Sequence, residues 1–125
     1  MNYREVCAEI NLSAIRHNLT EIRRHIQPAA KLCAVVKANA YGHGALAVSK
    51  VAAECGADFL AVATVEEAIE LRRADFDLPI LILGLIPSDA ADIVVENKIT
   101  AAVVDFDMAK KKREHVFAGY KEICA

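Results

Sequence analysis

The 125-residue sequence contains no tryptophan, and aromatic residues make up only 6% of it. A protein of this composition must build its core from aliphatic side chains, because few large rings are present. The longest apolar stretch, residues 79–87, falls well short of the ~20 residues that a membrane-spanning helix requires. The first residues also lack the apolar segment that marks a secreted protein. We therefore expect a cytoplasmic protein with no membrane partner.

Basic residues are not in excess, since 15 lysines and arginines stand against 17 aspartates and glutamates, for a formal net charge of -2. A near-neutral chain lacks the positive surplus that nucleic-acid binding requires. The four cysteines are widely spaced and form no CxxC pair, a pattern typical neither of a zinc site nor of a disulfide framework. We expect reduced thiols, no bound metal and no nucleic-acid partner.

The sequence alternates between two hydrophobic periods. Continuous apolar runs begin near residues 32, 59, 80 and 99 and suit strands buried in a parallel sheet. Helical patterns separate them, with caps predicted at Ser13, at Thr64, at Ser88 or Asp89, and at Asp107. A further short strand is predicted at residues 6–10. The spacing predicts an α/β fold of repeated βα units, either an open doubly wound sheet or about half of a (β/α)8 barrel.

In both architectures the functional groups lie at the carboxyl ends of the strands. Lys37 ends the apolar run of residues 32–36, and apolar surroundings favour the neutral, nucleophilic amine over the ammonium ion. Tyr41 follows in a loop with Gly42 and Gly44, where its hydroxyl could donate a hydrogen bond to a phosphate. The alternatives are a solvent-exposed or ion-paired Lys37 and a half-buried loop tyrosine. His43 is expected to pack within the loop.

Residues 34–44 read AVVKANAYGHG, and this string closely resembles the pyridoxal-phosphate attachment motif of the alanine racemases. The flanking segments agree with that family. Residues 8–19 resemble its opening segment, and residues 60–68 and 79–84 resemble the units that follow. The resemblance covers essentially the whole chain and places it at the N-terminal end of the family.

The resemblance implies a TIM-type barrel that binds pyridoxal 5'-phosphate, followed by a mainly β C-terminal domain. Residues 1–125 would form about half of that barrel, and the strand predicted at residues 6–10 would then belong to the β domain's sheet. By position, Lys37 matches the lysine that carries the cofactor as an aldimine and acts as one of two catalytic bases. Tyr41 matches a tyrosine near the cofactor phosphate, and Val35 and Leu83 match apolar residues that line the cofactor pocket.

The activity implied is that of an isomerase, the interconversion of L- and D-alanine for peptidoglycan synthesis, carried out by a homodimer. The family's second base and most of its phosphate-binding groups lie beyond residue 125, so we expect this chain alone to be inactive. Other interpretations remain open: a non-catalytic fragment that binds the cofactor, and a serine or broad-specificity amino-acid racemase. A flavodoxin-like binding domain, in which Lys37 merely faces an anion, is a further alternative.

Overall fold

The computed structural model describes residues 7–103, 106, 109 and 110, with a four-stranded parallel sheet and helices between the strands. The strands are β1 (Cys33–Val35), β2 (Phe59–Val62), β3 (Ile80–Ile82) and β4 (Ile99–Ala101). The helices are α1 (Leu12–His25), α2 (Lys37–Tyr41, a single turn in which residues 38–41 have positive φ), α3 (Ala45–Glu54), α4 (Val65–Arg73) and α5 (Ala91–Glu96), with a 3-10 turn at Ser88–Ala90. Within these ranges no helix is both long and apolar enough to cross a membrane.

The order of the strands decides between the two architectures that the sequence leaves open. The sheet runs β1-β2-β3-β4, so each strand pairs with the next one along the chain. A flavodoxin-like sheet reverses its order at a switch point. An unbroken order with right-handed crossovers instead places every helix on the same side of the sheet, as in a barrel. The chain forms a sector of a (β/α)8 barrel, and the doubly wound alternative is wrong.

The core lies between the sheet and its helices and is aliphatic, as the composition predicts. Leu60, Ile80 and Ile82 from the strands pack in one buried cluster with Leu71 of α4 and Val94 of α5. Burial of each such side chain stabilises the fold by about 1.5–3 kcal/mol. The opposite face, which we call the open face, carries Val35 and Leu83 with 43% and 47% of their surface exposed.

Local signals predict some element boundaries and miss others. Thr64 caps α4 as predicted, and Gly56 follows α3 with a φ of 81°, the left-handed conformation expected of a glycine after a helix. Asn11, not Ser13, caps α1: its side chain accepts a hydrogen bond from the N–H of Ala14 at 3.0 Å. Both residue types are good caps, so the sequence does not rank them.

Two further expectations are wrong. Residues 7–10 form no strand and are exposed, because no neighbouring strand in the described part of the chain pairs with them. Residue 6 lies outside the described residues. A 3-10 turn at Ser88–Ala90 precedes α5, so the N-cap position of that helix is Ala90 and not Ser88 or Asp89. The predicted cap Asp107 also falls outside the described residues.

Candidate functional site

Lys37 stands at the carboxyl end of β1. The N–H of Val36 donates to the carbonyl of Ala61 at 2.8 Å, so the pairing with β2 continues one residue past the strand. Val36 is 1% exposed on the helix side. Lys37 directly follows Val36 and is half-buried, at the point where the extended strand ends and α2 begins. The structure therefore puts the predicted lysine at the edge where barrel enzymes carry out their chemistry.

The sheet register brings the predicted pocket residues into neighbouring rows. Val35 pairs with Ala61, and Ala61 pairs with Leu81, across the three strands. The recorded pairing ends at Val35 on β1 and at Ile82 on β3, so Lys37 and Leu83 lie just past the ends of their strands. Val35 and Leu83 are exposed on the open face on either side of β2, whose Ala61 is fully buried between them.

Gly84 allows the ends of β2 and β3 to come unusually close together. A Cβ atom at Gly84 would lie 2.4 Å from the carbonyl oxygen of Ala63, a separation that real Cβ atoms essentially never show. The adjacent Leu83 donates its N–H to the carbonyl of Val62 at 2.8 Å. This close approach fixes the position of Leu83 at the carboxyl end of β3.

The segment after Lys37 has an uncommon backbone conformation. Residues 38–41, which we call the left-handed turn, all have φ between 51° and 55°. This conformation costs an L-residue about 1–2 kcal/mol, so the four residues together store about 4–8 kcal/mol. Strain of this kind persists at functional sites where the surrounding structure imposes it. The sequence analysis predicted only a glycine-containing loop here.

Asn39 supplies several of the hydrogen bonds that hold the left-handed turn. Its carbonyl accepts from the N–H groups of Gly42 at 3.1 Å and Gly44 at 2.9 Å. Its side-chain Oδ1 accepts from the N–H of Ala45 at 2.8 Å, which satisfies the first amide of α3. Asparagine is also one of the few residue types that tolerate positive φ. Asn39 thus joins the turn to the helix that follows.

Glu67 is a residue whose importance the sequence analysis missed. Its Oε1 accepts from the N–H of Ala38 at 2.6 Å, and its Oε2 accepts from the N–H of Ala63 at 2.8 Å. It also completes a capping box with Thr64 at the start of α4. The T-x-x-E spacing was a signal for the capping box, but the contact with Ala38, 29 residues away, had none.

The remaining predicted residues lie at the same edge of the sheet. Tyr41 ends the left-handed turn with 63% of its surface exposed. Val35 and Leu83 are exposed on the open face, and their contacts with a cofactor stay predictions. The Nδ1 of His43 lies 2.9 Å from the carbonyl of Ala40, so this side chain packs on its own loop as expected.

These residues fit pyridoxal 5'-phosphate. The cofactor needs an amine to hold its aldehyde, apolar walls for its ring and donors for its phosphate. Lys37 provides an amine, Val35 and Leu83 provide exposed apolar side chains on the open face, and Tyr41 provides an exposed phenol. Among the described residues, no group of three or more His, Cys, Asp or Glu side chains could hold a metal ion.

Comparison with known proteins identifies one family. The family model described as "Alanine racemase, N-terminal domain" matches residues 10–123. A curated alanine racemase of Desulforamulus reducens is 54% identical over 106 residues, which are 85% of this chain and 29% of that protein. The chain therefore spans about 30% of the length of the curated relatives it matches.

Solved structures agree with the fold. The alanine racemase of Bacillus anthracis, solved with bound L-Ala-P, superposes with a TM-score of 0.86 at 38% identity, covering 91% of this chain and 30% of that one. A histidine racemase of Leuconostoc mesenteroides subsp. sake superposes with a TM-score of 0.82 at 32% identity, covering 95% of this chain and 32% of that one.

Proposed function

This chain belongs to the alanine racemase family, and on that premise we propose that it is the N-terminal part of a pyridoxal-phosphate-dependent racemase of L- and D-alanine. The observation that carries the proposal is the position of Lys37 at the carboxyl end of β1, at the same edge of the sheet as the exposed apolar side chains of Val35 and Leu83. Residues 1–125 would supply about half of the barrel. The rest of the barrel and a C-terminal β domain would make up the other 70% or so of a protein as long as the relatives.

Lys37 has two roles in this proposal. Its Nζ would hold the cofactor through the cofactor's aldehyde carbon. The Lys37 amine would also take a proton from Cα of the amino acid, or return one, on a single face. The bound cofactor supplies the electron sink that makes this proton removable. A second base on the opposite face lies outside this chain.

The other residues bind and shield the reacting group. Tyr41 would donate its phenolic hydrogen to the cofactor phosphate, a charge-assisted bond that is stronger than one between neutral groups. Val35 and Leu83 would supply apolar contacts to the cofactor and exclude water from it. Backbone hydrogen bonds within this segment, such as that from the N–H of Ala40 to the carbonyl of Val36 at 2.9 Å, would help to keep Lys37 and Tyr41 in place.

Alanine is the proposed substrate because curated relatives that are 54% and 43% identical to this chain are named alanine racemases. With this substrate, the product would serve peptidoglycan synthesis, and the protein would act as a cytoplasmic homodimer. The similarity to a histidine racemase over 95% of the chain favours a second candidate, a racemase of another or of several amino acids.

Trapping the C=N bond tests the cofactor site. The full-length protein that contains this chain is mixed with pyridoxal 5'-phosphate, reduced with borohydride, digested and mapped by mass spectrometry. We expect the label on Lys37, its loss in Lys37→Ala, and its retention in Lys50→Ala, which removes an exposed lysine of α3. A label on another lysine, or none, would refute the assignment.

Racemisation assays separate the substrate candidates. L-alanine, L-serine and L-histidine are offered to the full-length protein, and the D-isomers are measured by chromatography. We expect fastest turnover of alanine and none by the isolated 125-residue chain. Clear turnover by the isolated chain would show that both bases lie within it.

A further inference from the structure

Glu67 connects the two strand ends that border the proposed cofactor site. Its Oε2 accepts from the N–H of Ala63, at the end of β2, and more weakly at 3.4 Å from the N–H of Thr64. Its Oε1 reaches in the other direction, to the N–H of Ala38 at 2.6 Å. A residue that only capped α4 would need the first set of bonds and not the second.

The hydrogen bond between the N–H of Ala38 and Glu67 lies where the backbone enters the left-handed conformation. Ala38 directly follows Lys37 and is the first residue of the left-handed turn, with a φ of 51°. An alanine in this conformation is strained, and nothing in its own side chain offsets the strain. The carboxylate of Glu67 supplies a charge-assisted hydrogen bond at that point, and such bonds are about twice as strong as neutral ones.

We propose that Glu67 is a positioning residue that acts through the left-handed turn to hold Lys37 and Tyr41 at their working separation. This inference rests on the proposed function, since it assigns the turn a role in cofactor attachment. Glu67 does not itself reach the reacting atoms. It selects the left-handed conformation of Ala38, and the turn then places the amine at one end and the phenol at the other.

The glutamine variant isolates this role because it keeps the size of the side chain. A carboxylate offers two acceptor oxygens, whereas an amide offers one acceptor and one donor group. Glu67→Gln can therefore satisfy either Ala38 or Ala63, and its NH2 group must face the other N–H. We expect this mismatch to open the turn about tenfold more often, the loss expected when one charge-assisted bond is removed.

Two measurements on the full-length protein report on the turn. Amide hydrogen exchange of the peptide covering residues 37–44 needs no cofactor, and we expect it to speed up about tenfold in Glu67→Gln. The rate of borohydride-trapped label on Lys37 should fall by about the same factor. Glu66→Gln is the matched control, since it removes a neighbouring carboxylate in the first turn of α4 that makes no bond to Ala38. It should leave both rates unchanged.

A second substitution separates this role from helix capping. Glycine adopts positive φ without a Cβ penalty, so Ala38→Gly should relieve the strain that Glu67 offsets. We expect the double variant with Glu67→Gln to recover most of the trapping rate. Thr64→Ala weakens the capping box but keeps the bond to Ala38, so it should lower the melting temperature without changing the trapping rate. If Glu67→Gln fails to fold, Glu67→Asp, whose oxygens are drawn back by about 1.5 Å, replaces it.

The outcomes distinguish this inference from the proposed function. Unchanged exchange and unchanged trapping in the Glu67 variant would overturn the inference, as would a trapping defect that Ala38→Gly does not relieve. Absence of label on Lys37 in the unsubstituted protein would overturn the proposed function instead. In that case faster exchange in Glu67→Gln would still show that the residue holds the turn.

Discussion

Replacing Gly84 by alanine should disturb the candidate site more than it disturbs the rest of the fold. The new Cβ would lie 2.4 Å from the carbonyl oxygen of Ala63, and an ordinary contact begins near 3.4 Å, so the two strand ends must separate by about 1 Å. A backbone oxygen cannot move aside by side-chain rotation. Overpacking of this kind costs about 1–3 kcal/mol. Stretching the bond from Leu83 to Val62 adds about 0.5–1.5 kcal/mol.

The displacement would move Leu83, which directly precedes Gly84 and is a proposed contact of the cofactor. A shift of about 1 Å in an active site can lower the rate about 100-fold. Unfolding of the Gly84→Ala variant by urea should therefore show a loss of about 2–4 kcal/mol. Cofactor trapping on Lys37 should slow markedly in the same variant.

Gly56→Ala provides the matched control for this experiment. Gly56 has a φ of 81°, and a Cβ added there would have no atom within 4 Å, so alanine at this position is strained but not crowded. It should lose about 1–2 kcal/mol of stability and keep the normal trapping rate, because it precedes β2 at the opposite end of the strands. A Gly84→Ala variant with unchanged stability and unchanged trapping would refute the reasoning.

Two smaller predictions concern Asn39 in the left-handed turn and the ion pair between α1 and α3. Asn39→Ala removes the Oδ1 atom that accepts a hydrogen bond from the N–H of Ala45, and it places an alanine at a φ of 54°. We expect it to lower the free energy of unfolding in urea by about 1–2 kcal/mol. The control Asn18→Ala, on the exposed face of α1, should lower it by less than about 0.5 kcal/mol. The Arg16 guanidinium donates a hydrogen bond to Glu54 and holds the pKa of that carboxyl below its ordinary value of 4.5. Because the pKa of Glu54 is lower in the folded state, the ion pair stabilises the contact between α1 and α3 at pH values above the ordinary pKa. This stabilisation is lost as the pH falls through the lowered pKa. Glu54→Gln should therefore show a shallower loss of stability on acidification below about pH 5, measured by thermal melts, and an unchanged acid slope would contradict the ion pair's role.

Features with purely local causes were predictable from the sequence. Thr64 and Glu67 form a capping box because their spacing alone brings side chains and backbone together, and Gly56 ends α3 because glycine adopts positive φ freely. Strand centres were predictable from continuous apolar runs. The choice between barrel and doubly wound sheet was not, because both give the same periodicity and differ only in which strands are neighbours.

The predictable part of the site is its chemistry, and the unpredictable part is the conformation that arranges it. Lys37, Tyr41, Val35 and Leu83 followed from the resemblance of one motif and its flanks. The left-handed turn did not, because alanine alone prefers the right-handed conformation. A bond to Glu67, 29 residues away, and the acceptors of Asn39 impose it instead.

The identity of the residues in the left-handed turn bears on why the strain is kept. Glycine at positions 38 and 40 would adopt the same φ without penalty, but it would also reach many other conformations. Alanine has fewer alternatives, so once Glu67 and Asn39 have offset its strain the turn is confined to one shape. The stored 4–8 kcal/mol, at about 1–2 kcal/mol per residue, is comparable with the whole stability of a small domain. The proposed covalent anchor and phosphate donor would have to be held within about 0.5 Å of their working positions, which provides a reason for such a cost.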